Sequence, residues 1–348
     1  GKWGLGYPGS EGDPNNQGFD LFFGYNCQRH AHHFYRNYLW KNQEKVMYPD
    51  NKTVTGPNYS ADEMRKEALQ FVREKKDQPF FLYWATPIPH VSLQVPEQSL
   101  KQYLGKWPET PFKGAKKVGR GYSGHPTPRA AYAAMISHMD RNIGQLMDLL
   151  DELKIADNTL LIFTSDNGAT YTGGVDAKFF NSVGSFKGLK GSLYEGGIRV
   201  PFVAKWPRKI KPGTTSDHIS AFWDMLPTFA EIAGYKVPTD TDGISMIATL
   251  TGTGKQAKHP FLYWEFIAAH HNRKERGMVA VRMGKWKGIK SNLKKNHNAP
   301  LALYDLEKDI GETNDIAKAF PEVADKIQTI MKNQHKPSKI FPFPAIDK

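Results

Sequence analysis

Cys27 is the only cysteine among 348 residues. Without a second thiol, a disulfide within the chain and any Cys-based zinc site are excluded. A chain of this length needs neither, because it can bury roughly three quarters of its unfolded surface. Long apolar runs are also missing. The longest, residues 80–85 and 160–163, fall far short of the ~20 residues that cross a bilayer, and the mean hydropathy is −0.56. No transmembrane helix is expected. The Gly-x4-Gly-Lys-Ser/Thr spacing of a P-loop is absent, as are helix-turn-helix, zinc-finger and RNP patterns. No internal repeat or low-complexity tract is present.

Acidic residues are in deficit, 35 against 47 Lys and Arg, for a net charge of +12. Such a balance suits a polyanionic partner: nucleic acid, an anionic surface, or a sulfated or phosphorylated substrate. Much of the excess lies in clusters at 113–117, 208–211, 273–276 and 285–295, which read as solvated surface. Aromatic residues are plentiful, with 8 Trp, 15 Tyr and 20 Phe. A composition of that kind argues for packed cores rather than disorder, and the length predicts about two domains.

Residues 1–57 are rich in Gly, Asn, Tyr and His, show little periodicity and read as loops. Ser60-Ala61-Asp62-Glu63 opens a capping box, followed by Met64, Ala68, Phe71 and Val72 at helical spacing. Residues 79–86 read as a buried strand. Tyr132, Ile136, Met139, Ile143, Leu146, Leu150 and Leu153 recur at steps of four and three, the stripe of an amphipathic helix. Residues 159–164 and 198–206 read as further strands, and 223–233 as a short helix ended by Gly234. Buried strands alternating with helices predict an α/β domain over 1–234, a mostly parallel sheet flanked by helices. Beyond residue 235 the pattern changes to short strands at 261–266, 278–283, 286–289 and 301–306, then a helix at 322–332. Residues 235–348 are expected to form a smaller α+β subdomain with an antiparallel sheet.

Open α/β sheets bind ligands at the carboxyl ends of their strands. One predicted strand runs into Ser165-Asp166-Asn167-Gly168, where a carboxylate beside a carboxamide suits a hard cation such as Ca²⁺ or Mg²⁺. An Asx turn without metal is the other reading. Another strand runs into Pro87-Ile88-Pro89-His90, a stiff loop that aims an imidazole. A third segment, 186–201, sets Lys187 and Lys190 among glycines, so that backbone and compact positive charge can approach an anion.

In this order, Thr164-Ser165-Asp166-Asn167-Gly168 and Lys190-Gly-Ser-Leu-Tyr-Glu195-Gly-Gly-Ile-Arg199-Val-Pro201 resemble the type I sulfatases of the alkaline-phosphatase superfamily. Gly1-Lys2-Trp3-Gly4-Leu5-Gly6 is similar to their Gly-Lys-Trp-His-Leu-Gly motif, Pro89-His90 to their mid-chain histidine, and Leu303-Tyr-Asp-Leu306 with Glu312-Thr-Asn314 to their C-terminal signature. The resemblance implies an alkaline-phosphatase-like fold and hydrolysis of sulfuric esters on a sulfated carbohydrate or aryl sulfate. It assigns Asp166 and Asn167 to calcium, Lys2 and Lys190 to the sulfate, and His90 to protonation of the departing alkoxide. It also implies a periplasmic or secreted enzyme with no nucleic-acid or membrane partner. His32 and His33, with Tyr35 and Trp40 nearby, and His271 are candidates for substrate contact.

Two departures accompany it. The family's formylglycine arises from Cys or Ser in Cys/Ser-x-Pro/Ala-Ser-Arg, and neither that segment nor the Asp-Asp-x-Gly that completes the calcium site occurs here. Both lie upstream of Gly-Lys-Trp in the family, so the chain is expected to lack that portion and to be inactive by itself. Gly4 stands where the motif has histidine, leaving His30, His32 and His33 as replacements by composition. The alternatives are a phosphodiesterase or phosphoryl transferase of the same superfamily, and a non-catalytic glycan-binding homologue.

Overall fold

Ser60 begins the first long helix rather than capping it. Helix α1 runs Ser60–Lys75 after an extended Tyr59, with no side-chain cap. The Ser60 hydroxyl instead accepts a hydrogen bond from the Tyr25 phenol at 2.5 Å. Asp62 and Glu63 in the first turn and Arg73 and Lys75 in the last complement the helix dipole. This computed structural model describes residues 1–117, 121–267 and 276–347. They fall into two compact units, 1–156 with 170–176 and 157–169 with 177–348.

In the first unit, β1 (Phe23–Gly24), β2 (Tyr38–Lys41) and β3 (Glu44–Met47) form an antiparallel sheet in that order. Phe23, Tyr25, Ala31 and Leu39 pack with Met64 of α1 as its core. The short helix α2 (Glu97–Leu100) and the paired strands β4 (Phe112–Gly114) and β5 (Ser123–His125) lead to α3 (Pro128–Glu152). The buried face of α3 is rotated from the expected stripe. Tyr132, Leu146 and Leu150 are buried as expected, but Ile136 is exposed, and His138 and Asn142 lie inside with Met135. Polar partners explain the rotation. His138 Nε2 meets Asp62 Oδ1 at 2.7 Å and its Nδ1 meets Ser99 Oγ at 2.9 Å, so an imidazole is satisfied where hydrophobicity alone would not place it.

Residues 79–86 are extended but form no strand. Phe81 and Tyr83 are 56% and 59% exposed and alternate with half-buried Leu82 and Trp84. An apolar run by itself does not separate a buried strand from extended chain with one flank in solvent.

The second unit opens with β6 (Leu161–Thr164), then the single-turn helix α4 (Glu195–Ile198) and β7 (Phe202–Lys205). The two strands pair antiparallel, Leu161 opposite Lys205 and Thr164 opposite Phe202. Parallel pairing requires a crossover, usually a helix of several turns, and α4 is one turn long. The mostly parallel sheet expected from sequence is therefore not found. Every strand pair among the described residues is antiparallel, and the parallel contact seen is the isolated bridge Lys2–Tyr25. The architecture is mixed α/β with antiparallel sheets.

Helices α5 (Met225–Ile232) and α6 (Ile247–Thr251) precede the expected C-terminal sheet, and Gly234 ends the first turn region in a left-handed conformation. Strands β8 (Leu262–Phe266), β9 (Met278–Met283), β10 (Trp286–Lys290) and β11 (Ala302–Asp305) pair in the order β11-β10-β9-β8. Alternation along β9 sends side chains to two buried faces. Val279 and Val281 join Leu301, Leu303 and the Ala324, Ile327 and Met331 face of α7 (Pro321–Gln334). Met278 and Ala280 join Ile289, Tyr304, Leu193 and Tyr194. The sheet thus forms the floor beneath the segment that carries Lys190.

Candidate active site

Thr164 closes β6 with its hydroxyl donating to the Pro201 carbonyl at 2.9 Å. In the turn that follows, the Ser165 hydroxyl donates to the Asn167 carbonyl at 3.0 Å and the Asn167 amide donates to Asp166 Oδ1 at 2.9 Å. Two backbone bonds fasten this turn to the glycine-rich loop: Gly168 N–H to Gly197 O at 3.0 Å and Lys190 N–H to Ala169 O at 2.9 Å. Gly168 is required there, since a Cβ would sit 1.9 Å from the Gly196 oxygen. Asp166, Asn167 and Lys190 are therefore carried on two segments held in direct contact. Carboxylate and carboxamide oxygens are hard donors that suit calcium, and they supply two of the roughly six to eight it takes. No group of three or more His, Cys, Asp or Glu able to hold a metal occurs among the described residues.

The loop is anchored by buried charge. Glu195 at the start of α4 accepts from Lys287 Nζ at 2.6 Å and from Arg282 Nη1 at 3.0 Å, with Arg199 at 3.7 Å. Burial pushes the Glu195 carboxyl up, but these cations outweigh it and hold it below the usual carboxylate range. Its own N–H donates to Glu312 Oε2 at 2.7 Å. Glu312 is fully buried, 3.7 Å from Lys287, and burial pushes its carboxyl up to about 7. Lys287 is also fully buried, although it belongs to a basic cluster that reads as solvated surface.

In the first unit, Lys2 lies in an extended stretch whose N–H donates to Ala85 O at 2.9 Å, while Trp3 N–H donates to Tyr25 O at 2.9 Å. Lys2 is thereby tied to the segment that continues into the His90 loop. Gly4 is left-handed at φ +84°, and a Cβ there would fall 2.4 Å from the Gln28 amide nitrogen. The space of the motif histidine is filled by the Gln28 carboxamide, a contact with no signal in the sequence. His90 Nδ1 meets Val91 O at 2.5 Å, and because a carbonyl only accepts, Nδ1 is the donor of this bond.

Of the three neighbouring histidines, His32 alone reaches His90. Their rings stack at 5.4 Å and 14°, and Tyr122 closes on His32 at 5.0 Å and on His90 at 6.1 Å. His33 points inward, buried between the Ser92 and Ser123 hydroxyls, and burial brings it down to about 4. His30 stacks on Tyr38 at 4.4 Å with Tyr25 at its edge, and burial likewise lowers it to about 4. Both are neutral at pH 7 and neither occupies the His32–His90–Tyr122 surface. Tyr35 is buried against Tyr59 and offers no face to a sugar, while Trp40 is half-buried beneath the Lys45 ammonium. His271 lies outside the described residues.

Residues 187–338 match the family described as N-sulphoglucosamine sulphohydrolase, C-terminal. N-acetylgalactosamine-6-O-sulfatase of Bacteroides thetaiotaomicron is 29% identical over 291 residues, 78% of this chain and 50% of that protein. N-acetylgalactosamine-6-sulfatase of Homo sapiens is 31% identical over 276 residues, 76% of this chain and 47% of that protein. The crystal structure of Ps i-CgsB in complex with k-i-k-neocarrahexaose superposes with a TM-score of 0.74 at 27% identity, covering 95% of this chain and 69% of that one. The chain spans about half the length of the curated relatives it matches. With residues 1–235 matching the family described as Sulfatase, the chain belongs to the sulfatase family of the alkaline-phosphatase superfamily.

Proposed function

We propose that this protein hydrolyses sulfate esters of a sulfated carbohydrate. The observation that carries the reading is the fastening of the Asp166–Asn167 turn to the Lys190 loop, which carries a lysine and two hard-oxygen donors on segments in direct backbone contact. Fixed positive charge at the sulfuryl oxygens and a proton for the leaving oxygen are what ester cleavage requires. Lys190 holds a sulfate oxygen, the role that the family resemblance also assigns to Lys2. His90, oriented by the Val91 carbonyl at Nδ1 and by the stacked His32 ring, gives the departing alkoxide a proton carried on its other ring nitrogen, Nε2. Asp166 and Asn167 hold calcium together with further oxygen ligands, and the ion when bound adds positive charge at the sulfate. His32 and Tyr122 line the approach of the sugar. The family's nucleophile is a formylglycine, and the segment from which it is made does not occur in these residues.

A carbohydrate substrate is favoured by the net charge of +12 and by relatives named for N-acetylgalactosamine-6-sulfate or bound to neocarrahexaose. Such an enzyme acts in the periplasm or outside the cell. Among the described residues no helix is long and apolar enough to cross a membrane. The test is turnover of an aryl sulfate, an aryl phosphate and sulfated galactose-series oligosaccharides by the full-length gene product with its modification installed. Release of sulfate from the sulfated substrates supports the reading. Preference for the phosphate, or retention on heparin without turnover of any ester, overturns it.

A further inference from the structure

The loop that carries Lys190 is gripped at both ends, by strands of the C-terminal sheet and by Glu312 in the segment after β11. At its entry, Lys187 Nζ donates to the Glu312 carbonyl at 2.9 Å and lies over the Tyr194 ring at 4.1 Å and the Tyr304 ring at 5.4 Å. At its exit, Glu195 is held by Lys287 of β10 and Arg282 of β9, and its N–H by the Glu312 carboxylate. Lys190 sits between the two grips.

Glu312 serves both ends at once, its carbonyl to Lys187 and its carboxylate to Glu195. To do so it takes φ +50°, a left-handed conformation that a residue with a Cβ adopts at a penalty. Lys287 and Glu312 have no solvent exposure and Glu195 is 2% exposed. A buried ion cluster of this kind is a poor source of stability, because well-packed apolar residues of equal volume usually do as well or better. What it supplies is direction: in this loop position Lys187, Glu195, Lys287 and Glu312 are all partnered.

We propose that Lys187, Glu195, Lys287 and Glu312 are positioning residues for Lys190, so that the C-terminal sheet sets the geometry of sulfate binding. The inference rests on the function proposed above. None of the four touches the sulfate; each acts through the loop, where a misplacement of about 1 Å costs on the order of 100-fold in rate.

Two variants of the full-length gene product test it. E312G removes the carboxylate, while glycine accepts φ +50° freely and keeps the carbonyl that holds Lys187. K187M removes the entry grip and retains an unbranched side chain over the tyrosine rings. With an aryl sulfate, each is expected to lower kcat about 10–100-fold, with less than about a threefold change in KM. Hydrogen exchange at peptides spanning 187–199 should accelerate, while peptides of β9 and β10 exchange as in wild type. A purely structural role would instead lower the melting temperature and the active fraction, leaving kcat per folded molecule unchanged. Wild-type kcat per folded molecule together with unchanged loop exchange in both variants would overturn the inference. If the wild type turns over no sulfate ester, the proposed function fails, and the exchange data alone decide whether the grips hold the loop.

Discussion

Glu312 makes the stability of this fold depend on pH in an unusual direction. Its carboxyl is raised from the ordinary 4.5 to about 7, chiefly by burial, with Lys287, Lys187 and the bond from the Glu195 N–H opposing the shift and the Glu195 carboxylate adding to it. Folded pKa above unfolded pKa means that the folded state holds the proton more tightly. The resulting stabilisation is fully present below about 4.5 and is lost as pH rises through about 7. A shift of that size corresponds to roughly 3 kcal/mol at 1.36 kcal/mol per unit, a large share of the ~5–15 kcal/mol that holds a domain together. Glu312→Gln keeps the shape and an oxygen to accept the Glu195 N–H, but cannot ionise. Urea titrations of both proteins at intervals from pH 4 to pH 8.5 provide the measurement. The wild type should lose stability relative to the variant across pH 4.5–7.5, by up to about 3 kcal/mol. Parallel stability curves over that window would show that Glu312 is ionised throughout and that its burial is compensated.

Gly168→Ala should be among the most damaging small substitutions, because the new Cβ would fall 1.9 Å from the Gly196 oxygen; overpacking predicts a loss of about 1–3 kcal/mol in urea unfolding, with turnover falling further as the turn and loop separate. Lys190→Met should reduce kcat on an aryl sulfate by about 10²–10³-fold, the usual effect of removing one charge-stabilising group, and should leave the melting temperature near wild type. Asp224 is fully buried and accepts from the Ala221 and Ile244 amides and from His259. Asp224→Ala strands all three partners, and calorimetry should show about 3–5 kcal/mol of lost stability. His335 is drawn down by burial, but contacts with Glu265 at 2.7 Å and Asp347 at 2.9 Å outweigh it and raise its pKa. That stabilisation is complete below the ordinary histidine value and is lost as pH rises through the raised one. Limited proteolysis within residues 336–347 should therefore be faster at pH 8.5 than at pH 6, and His335→Ala should remove the difference.

Short-range chemistry was legible in the sequence. The strands at 278–283 and 286–289 and the helix at 322–332 appear within a residue or two of their expected limits, because apolar alternation and helical spacing are local properties. Long-range pairing was not. Nothing in residues 159–164 and 198–206 reports that one strand turns back antiparallel on the other, and nothing in 79–86 reports that Phe81 and Tyr83 face solvent. The face of α3 was displaced for a related reason: His138 and Asn142 are buried by virtue of Asp62, which lies 76 and 80 positions earlier.

The candidate site divides in the same way. Asp166, Asn167, Lys190 and His90 stand out from the amino-acid order alone, because adjacent hard-oxygen donors, a lysine among glycines and a histidine just after two prolines are signatures carried by neighbouring residues. Tertiary structure decided which groups serve them. It selected His32 over His30 and His33 by stacking the first on His90, turning the second onto Tyr38 and burying the third, and it placed the Gln28 amide in the space beside Gly4. It also turned Lys287, one member of a basic cluster, into a fully buried counter-ion of Glu195. A side chain's type is written in the chain; whether its charge meets water or another charge depends on what the fold brings against it.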